Sequence, residues 1–132
     1  MGKRSQDDAQ WQSLKKAIRL RDGHCRLVSI LTAKEFLILQ KNAGRQLSIC
    51  DPAHVLSVGG HEKLCYDQDN VVLLNHYSHS MLDSCRNPLN GDMIKKEERD
   101  SWWIRIIGKP LYDILLEKMK MEVLDGTGTW EQ

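Results

Sequence analysis

The chain has 132 residues, the size of one compact domain, with 41% hydrophobic and 28% charged residues. Its formal net charge is +1, which argues against a large, uniformly basic binding face. No apolar run is long enough to span a membrane, and the polar start MGKRSQDDAQ lacks the apolar stretch of a signal peptide. A cytoplasmic protein is the expectation. The four cysteines (Cys25, Cys50, Cys65, Cys85) are scattered without a C-x-x-C pair and are expected as free thiols.

Residues 1–7 are expected to be loose. A helix is expected from Asp7 or Asp8, with Trp11, Leu14 and Ile18 as its apolar stripe and Gly23 as its terminator. Lys15, Lys16 and Arg19 make that segment locally basic, a candidate phosphate-binding patch or simply a solvated face. His24 is expected to cap the helix end. Arg26–Leu31 reads as a short strand. Thr32–Lys41 fits either a helix or a strand, because the run Phe36, Leu37, Ile38, Leu39 has no clear period. Asn42-Ala43-Gly44 signals a turn, and Gln46–Cys50 a strand leading to Asp51, with Pro52 restricting it to an edge.

Val55–Asp69 contains Gly59-Gly60 and many polar residues and reads as a loop. Asn70–Leu74 is a short β-type run, and Asn75 is placed to cap a helix from His76 to about Cys85. A turn at Asn87–Asp92 precedes a helix over Lys95–Ile107, with Trp102/Ile106 and Trp103/Ile107 as apolar pairs. Trp102 and Trp103 are expected to be packing residues. Gly108 and Pro110 open a last helix to about Glu122, with Leu111, Ile114, Leu115 and Met119 as its buried face. The tail DGTGTWEQ, with Trp130, is expected to be loose. The order is an α+β pattern, a strand–loop–strand–helix unit between helices.

The chemistry-bearing residues concentrate in that unit. His79 and Asp83, one helical turn apart, share a face and together make a site for Mg²⁺, Mn²⁺ or Zn²⁺; an exposed polar face is the plainer alternative. His76 borders the same face. His54 closes the first strand, and packing of the unit would set it opposite the helix as a general base toward water. Asn70 has both an acceptor and donors, suited to clamping the backbone of the loop after His54.

The order His54, Asn70, His79, in DPAHVLS and DNVVLLNHYSHSMLD, resembles the motif of the HNH or ββα-metal nucleases, and NPLNGDMIKKEERDSWWIRIIG is similar to small phage-type members. The resemblance implies a ββα-metal core over residues 50–85, flanked by an N-terminal helix and two C-terminal helices. It implies a DNA endonuclease with His54 as general base and Asn70 as the residue that positions it. His79, Asp83 and Asp51 would hold a divalent cation, Mg²⁺ or Mn²⁺, with Zn²⁺ or Ni²⁺ also admitted. Products would carry 5′-phosphate and 3′-hydroxyl ends.

Two departures accompany the resemblance. The family usually has a ligand directly before the base, and here that position is Ala53. Asp51 is the nearest substitute, ~6–7 Å back along the strand on the same face. Many members also hold a structural zinc with two C-x-x-C pairs. The helix-side positions here are Asn75 and Ser78, and Cys25 has only Ser29 nearby, so no structural zinc is expected. A rearranged four-cysteine site, and with it a zinc-stabilised structural domain, is the alternative. Lys63 and Arg86 are further candidate phosphate contacts, and His61 a loop histidine. DNA is the expected partner of a monomer or homodimer, with other phage proteins and a host cytoplasm as further expectations. The competing function is a catalytically impaired nucleic-acid-binding or assembly module that keeps the same fold.

Overall fold

A computed structural model describes residues 8–56 and 62–124. Both tails, Gly59-Gly60, His61 and Trp130 lie outside the described residues. Eight helices and strands follow in order: α1 (Ala9–Asp22), α2 (Ala33–Ala43), β1 (Cys50–His54), α3 (Glu62–Cys65), β2 (Val71–Asn75), α4 (His76–Asp83), α5 (Lys96–Ile107) and α6 (Lys109–Leu124). Short 3₁₀ turns at Val28–Ile30, Gly44–Ser48 and Gln68–Asn70 connect them. The architecture is mixed α+β, as the element order implied.

The helix ends follow local chemistry. The Asp8 carboxylate accepts from the amides of Gln10 (2.9 Å) and Trp11 (3.2 Å), which have no partner inside the helix. Gly23 closes α1 at φ 74°, a left-handed value, and its N–H donates to the Arg19 carbonyl. His24 is exposed beyond this cap and does not supply it. Thr32 and Glu35 form a reciprocal capping box, Thr32 Oγ1 accepting from Glu35 N (3.1 Å) and Glu35 Oε1 from Thr32 N (2.9 Å). That pair decides the ambiguous segment in favour of helix.

Of two expected strands, one is replaced and the other starts late. Val28–Ile30 is a 3₁₀ turn inside the stretch expected as a strand. Gly44–Ser48 is another, so β1 begins only at Cys50. The expected turn at Asn42–Gly44 is the end of α2, whose helix runs on through Ala43. The expected loop over 55–69 contains the short α3. In α6 the buried stripe is Tyr112, Leu115, Met119 and Glu122, and Ile114 is half exposed. Leu115 and Met119 are shared with the expected face, and the buried stripe is rotated from it by roughly 45°.

β1 and β2 form an antiparallel two-stranded ribbon that pairs Cys50 with Asn75, Asp51 with Leu74, Pro52 with Leu73, Ala53 with Val72 and His54 with Val71. Every side chain of β2 is buried. The strand's alternation divides them between two cores. Val72 and Leu74, with Ala53, join Leu27, Leu39, Leu82, Trp103, Ile106 and Leu115. Val71 and Leu73 join Leu14 and Ile18 of α1, with Trp11 against them. Each fully buried aliphatic side chain contributes about 1.5–3 kcal/mol. α1 thus covers one face of the ribbon, and α4, through Leu82, the other.

The outer edge of β2 is satisfied by the end of α1 and the turn after it. Asp22 Oδ2 accepts from Leu73 N (2.9 Å), Arg21 Nη2 donates to Val71 O (2.7 Å), and Arg26 N donates to Leu73 O (2.8 Å). An isolated ribbon would leave those groups bare.

Candidate functional site

Asn75 ends β2 and caps α4, its Oδ1 accepting from Ser78 N at 2.9 Å. This brings the first turns of α4 beside β1. Asp51 and Ala53 point to the α4 side of the ribbon, and the pleat turns His54 toward α1, so His54 does not face the helix that bears His79 and Asp83 as the strand–loop–strand–helix order led one to expect. Asp51 spans the distance that Ala53 cannot. Its Oδ2 lies 3.1 Å from His79 Nδ1 and 2.6 Å from His76 Nδ1. The other ring nitrogen of His79, Nε2, lies 3.2 Å from Asp83 Oδ2.

His79 therefore stands between two carboxylates. The hydrogen bond to Asp83 is the leading cause that raises its pKa above the usual imidazole value. Burial opposes the rise, and Asp51 adds to it. For Asp51, burial pushes the pKa up, but hydrogen bonds from His76 and His79 and the attraction of both rings leave it below the ordinary carboxylate value. Among the described residues, no three His, Cys, Asp or Glu side chains already stand in ligand positions around one point. The donor spacings of about 3 Å still fit a cation, because adjacent ligands of an octahedral ion with bonds near 2.1 Å are about 3 Å apart.

His54 has different surroundings. Its Nε2 lies 3.0 Å from the Cys65 carbonyl oxygen. A carbonyl only accepts, so in the neutral ring Nε2 carries the proton and Nδ1 is the basic nitrogen. The ring stacks on Trp11 of α1, with centroids 5.1 Å apart and 16° between planes, and Lys15 Nζ stands 5.8 Å from the Trp11 ring. Tyr66 donates a hydrogen bond to Asp8 at the start of the same helix.

Asn70 is fully buried and grips the chain on both sides of the loop. Its Oδ1 accepts from Leu56 N (2.8 Å), and its Nδ2 donates to the carbonyls of Leu56 and Leu64 (3.2 Å each). Its own carbonyl accepts from Val55 N (2.8 Å). The two residues after His54 and the helix bearing Cys65 are thus fixed from one side chain.

Cys25 and Cys65 are buried. Cys25, Asn75 and Ser78 form a buried polar network. Asn75 N and Nδ2 donate to Cys25 Sγ (3.2 and 3.4 Å), Asn75 Nδ2 donates to Ser78 Oγ (3.0 Å), and Ser78 Oγ donates to the Pro88 carbonyl (2.9 Å). These hydrogen bonds tie β2, α4 and the following turn together.

The basic residues separate into two kinds. Arg19 donates to the Cys50 carbonyl (2.9 Å), and Arg86 to the Gly91 carbonyl (3.0 Å), so both brace the fold. Lys16 and Lys63 are exposed, the latter in the first turn of α3. Lys15 is the basic residue beside the Trp11–His54 stack. Trp103 is buried and Trp102 partly so, both as packing residues.

Sequence reasoning left two contributors out of the site. His76 was placed at its border, although its spacing of three from His79 puts both on one helix face. Trp11 was read as part of an apolar stripe, and nothing local signals that its ring meets His54.

No protein-family model matches the chain, and no solved structure matches it. Over 49 residues, 37% of its length, it is 45% identical to a protein described as DNA-directed RNA polymerase 3B, chloroplastic, from Nicotiana tabacum. The matched segment is 4% of that protein's length. No helix among the described residues is long and apolar enough to cross a membrane.

Proposed function

We propose that the chain is a metal-dependent DNA endonuclease of the ββα-metal type. The observation that carries this reading is the contact of Asp51 Oδ2 with His79 Nδ1 at 3.1 Å, which supplies the carboxylate that Ala53 lacks. Asp51 and His79, with Asp83 on the second ring nitrogen, are the residues that would hold a divalent cation. Such an ion supplies positive charge for the phosphate oxygens and the departing 3′-oxygen.

The protein's own groups do the rest. His54 takes a proton from the attacking water at Nδ1, and the Cys65 carbonyl keeps Nε2–H in place and stabilises the imidazolium that forms. Asn70 holds Leu56 and Leu64, so the loop carrying the base does not drift. Lys15, next to the Trp11–His54 stack, is suited to a phosphate of the same strand. Water adds to phosphorus and the P–O3′ bond breaks, and the departing oxygen takes a proton from solvent, leaving 5′-phosphate and 3′-hydroxyl ends.

The second reading is a nucleic-acid-binding module that does not cleave. The flat stack of Trp11 on His54 favours it, because one face of the base is covered. The likeness to an RNA polymerase supports neither reading over the other, since it touches 4% of that protein. A plasmid-nicking assay in Mg²⁺ or Mn²⁺, with and without EDTA, separates them. Nicking that EDTA abolishes is the expected result. Salt-sensitive DNA binding with no nicking in either metal sinks the nuclease reading.

A further inference from the structure

The two histidines of α4 aim the same nitrogen at the same atom. His76 Nδ1 and His79 Nδ1 lie 2.6 and 3.1 Å from Asp51 Oδ2. Residues three apart on a helix are neighbours on its surface, so this convergence is built into α4 once Asn75 starts it beside β1. The 3.1 Å spacing at His79 matches the separation of adjacent ligands around an ion with bonds of about 2.1 Å, and the 2.6 Å spacing at His76 is that of a hydrogen bond, which has to lengthen by about 0.4 Å to admit the ion. The His76 side chain is 46% exposed and Asp51 27%, so the convergence point is open to solvent and to a phosphate.

Asp83 occupies a different direction. It contacts Nε2 of His79, while Asp51 contacts Nδ1. The two nitrogens of one imidazole point well apart, so an ion held at Nδ1 is out of reach of a carboxylate at Nε2. A carboxylate on the far nitrogen is instead the usual partner of a metal-ligating histidine: it takes the N–H and fixes the ring with its other lone pair toward the metal.

We infer that the cation site is Asp51, His76 and His79, with Asp83 as a positioning residue, and that it prefers a transition-metal ion to Mg²⁺. Two imidazole nitrogens and one carboxylate oxygen suit Zn²⁺, Ni²⁺ or Mn²⁺; Mg²⁺ favours oxygen ligands and keeps its water. The inference rests on the metal-dependent reading above but changes its ligand set, moving His76 in and Asp83 out.

The test is calorimetric titration of the metal-stripped full chain with ZnCl₂, MnCl₂ and MgCl₂, comparing wild type, His76→Ala and Asp83→Ala, each checked for folding by circular dichroism. Wild type is expected to bind Zn²⁺ at least ~100-fold more tightly than Mg²⁺. Asp83→Ala should weaken Zn²⁺ by roughly 10–100-fold, as loss of an outer partner does. His76→Ala should weaken it more than Asp83→Ala does. Nitrogen-detected NMR should show Zn²⁺ shifting Nδ1 of both His76 and His79.

Three outcomes overturn the assignment. They are wild-type affinity in His76→Ala, a larger loss in Asp83→Ala than in His76→Ala, and zinc taken by the thiols with both imidazoles unshifted. A parallel nicking assay keeps the two claims apart. Metal-dependent nicking by wild type with unaltered binding in His76→Ala defeats this ligand set alone. Zinc at His76 without nicking in any metal defeats the nuclease reading alone.

Discussion

His54 and His79 are both partly buried imidazoles on one strand–strand–helix unit, and they are held in opposite ways. His54 meets a backbone carbonyl and the face of an indole. His79 lies between the carboxylates of Asp51 and Asp83. Anionic partners favour the protonated ring and, once that proton leaves, favour a cation in its place. A carbonyl that accepts from Nε2 selects a tautomer without adding charge, which suits the general base proposed above. The ribbon keeps the two environments apart by its pleat, His54 toward α1 and Asp51 toward α4.

The largest expected effect comes from removing His54. His54→Ala should lower nicking by at least ~10²–10⁴-fold while DNA binding and thermal stability stay near wild type. A variant that still nicks in Mg²⁺ or Mn²⁺ removes His54 from the chemistry. On the same side, Asn70→Ala leaves the Leu56 amide and the Leu56 and Leu64 carbonyls without their partner in a buried setting. A loss of about 2–3 kcal/mol in denaturant unfolding is expected, together with lower activity. Asn70→Asp should be worse, because it turns an acceptor toward those two carbonyls.

On the charged side, His79 in EDTA should titrate above the ordinary imidazole value of about 6.5 by NMR, and Asp83→Asn should lower it more than Asp51→Asn does. A folded pKa raised in this way stabilises the protein fully below the unfolded value. That contribution is lost as pH rises through the folded pKa. Equal titration of His79 in wild type and both variants would erase the contrast with His54.

The smallest effect lies away from both histidines. The Glu35 carboxylate, held by Arg105 at 2.6 and 2.9 Å and by the Thr32 amide, has its pKa lowered to about 2. Its depressed pKa stabilises the fold above the ordinary glutamate value and ceases to do so as pH falls toward 2. The pair is partly exposed and screened, so Glu35→Gln should cost only about 0.5–1 kcal/mol near neutral pH. The variant should also lose part of wild type's sensitivity between pH 4 and 3.

Much of the frame was legible because its signals are local. Asp8, Gly23, Asn75 and Gly108 mark helix ends through their own backbone and side-chain chemistry, and Trp11, Leu14 and Ile18 carry a clear helical period. Thr32-Ala-Lys-Glu35 was equally local, a capping box overshadowed by the unpatterned apolar run after it. The stretch expected as a strand at 26–31 failed for a different cause, and the one expected from Gln46 begins only at Cys50. Short β-prone runs become strands only when a partner edge is available, and the edge of β2 is taken by β1 on one side and by Arg21, Asp22 and Arg26 on the other.

By itself the sequence determined that His54 lies at a strand end and His79 on a helix, since spacing and caps set those placements; Asn70, expected to start the second strand, instead ends the 3₁₀ turn just before it. Folding decided which nitrogen faces which oxygen. The reach of Asp51 past Ala53, the turning of His76 onto the same carboxylate, the stacking of Trp11 on His54 and the rotation of α6 all depend on elements far apart in the chain. Packing of the two ribbon faces sets those contacts, and no local pattern encodes them.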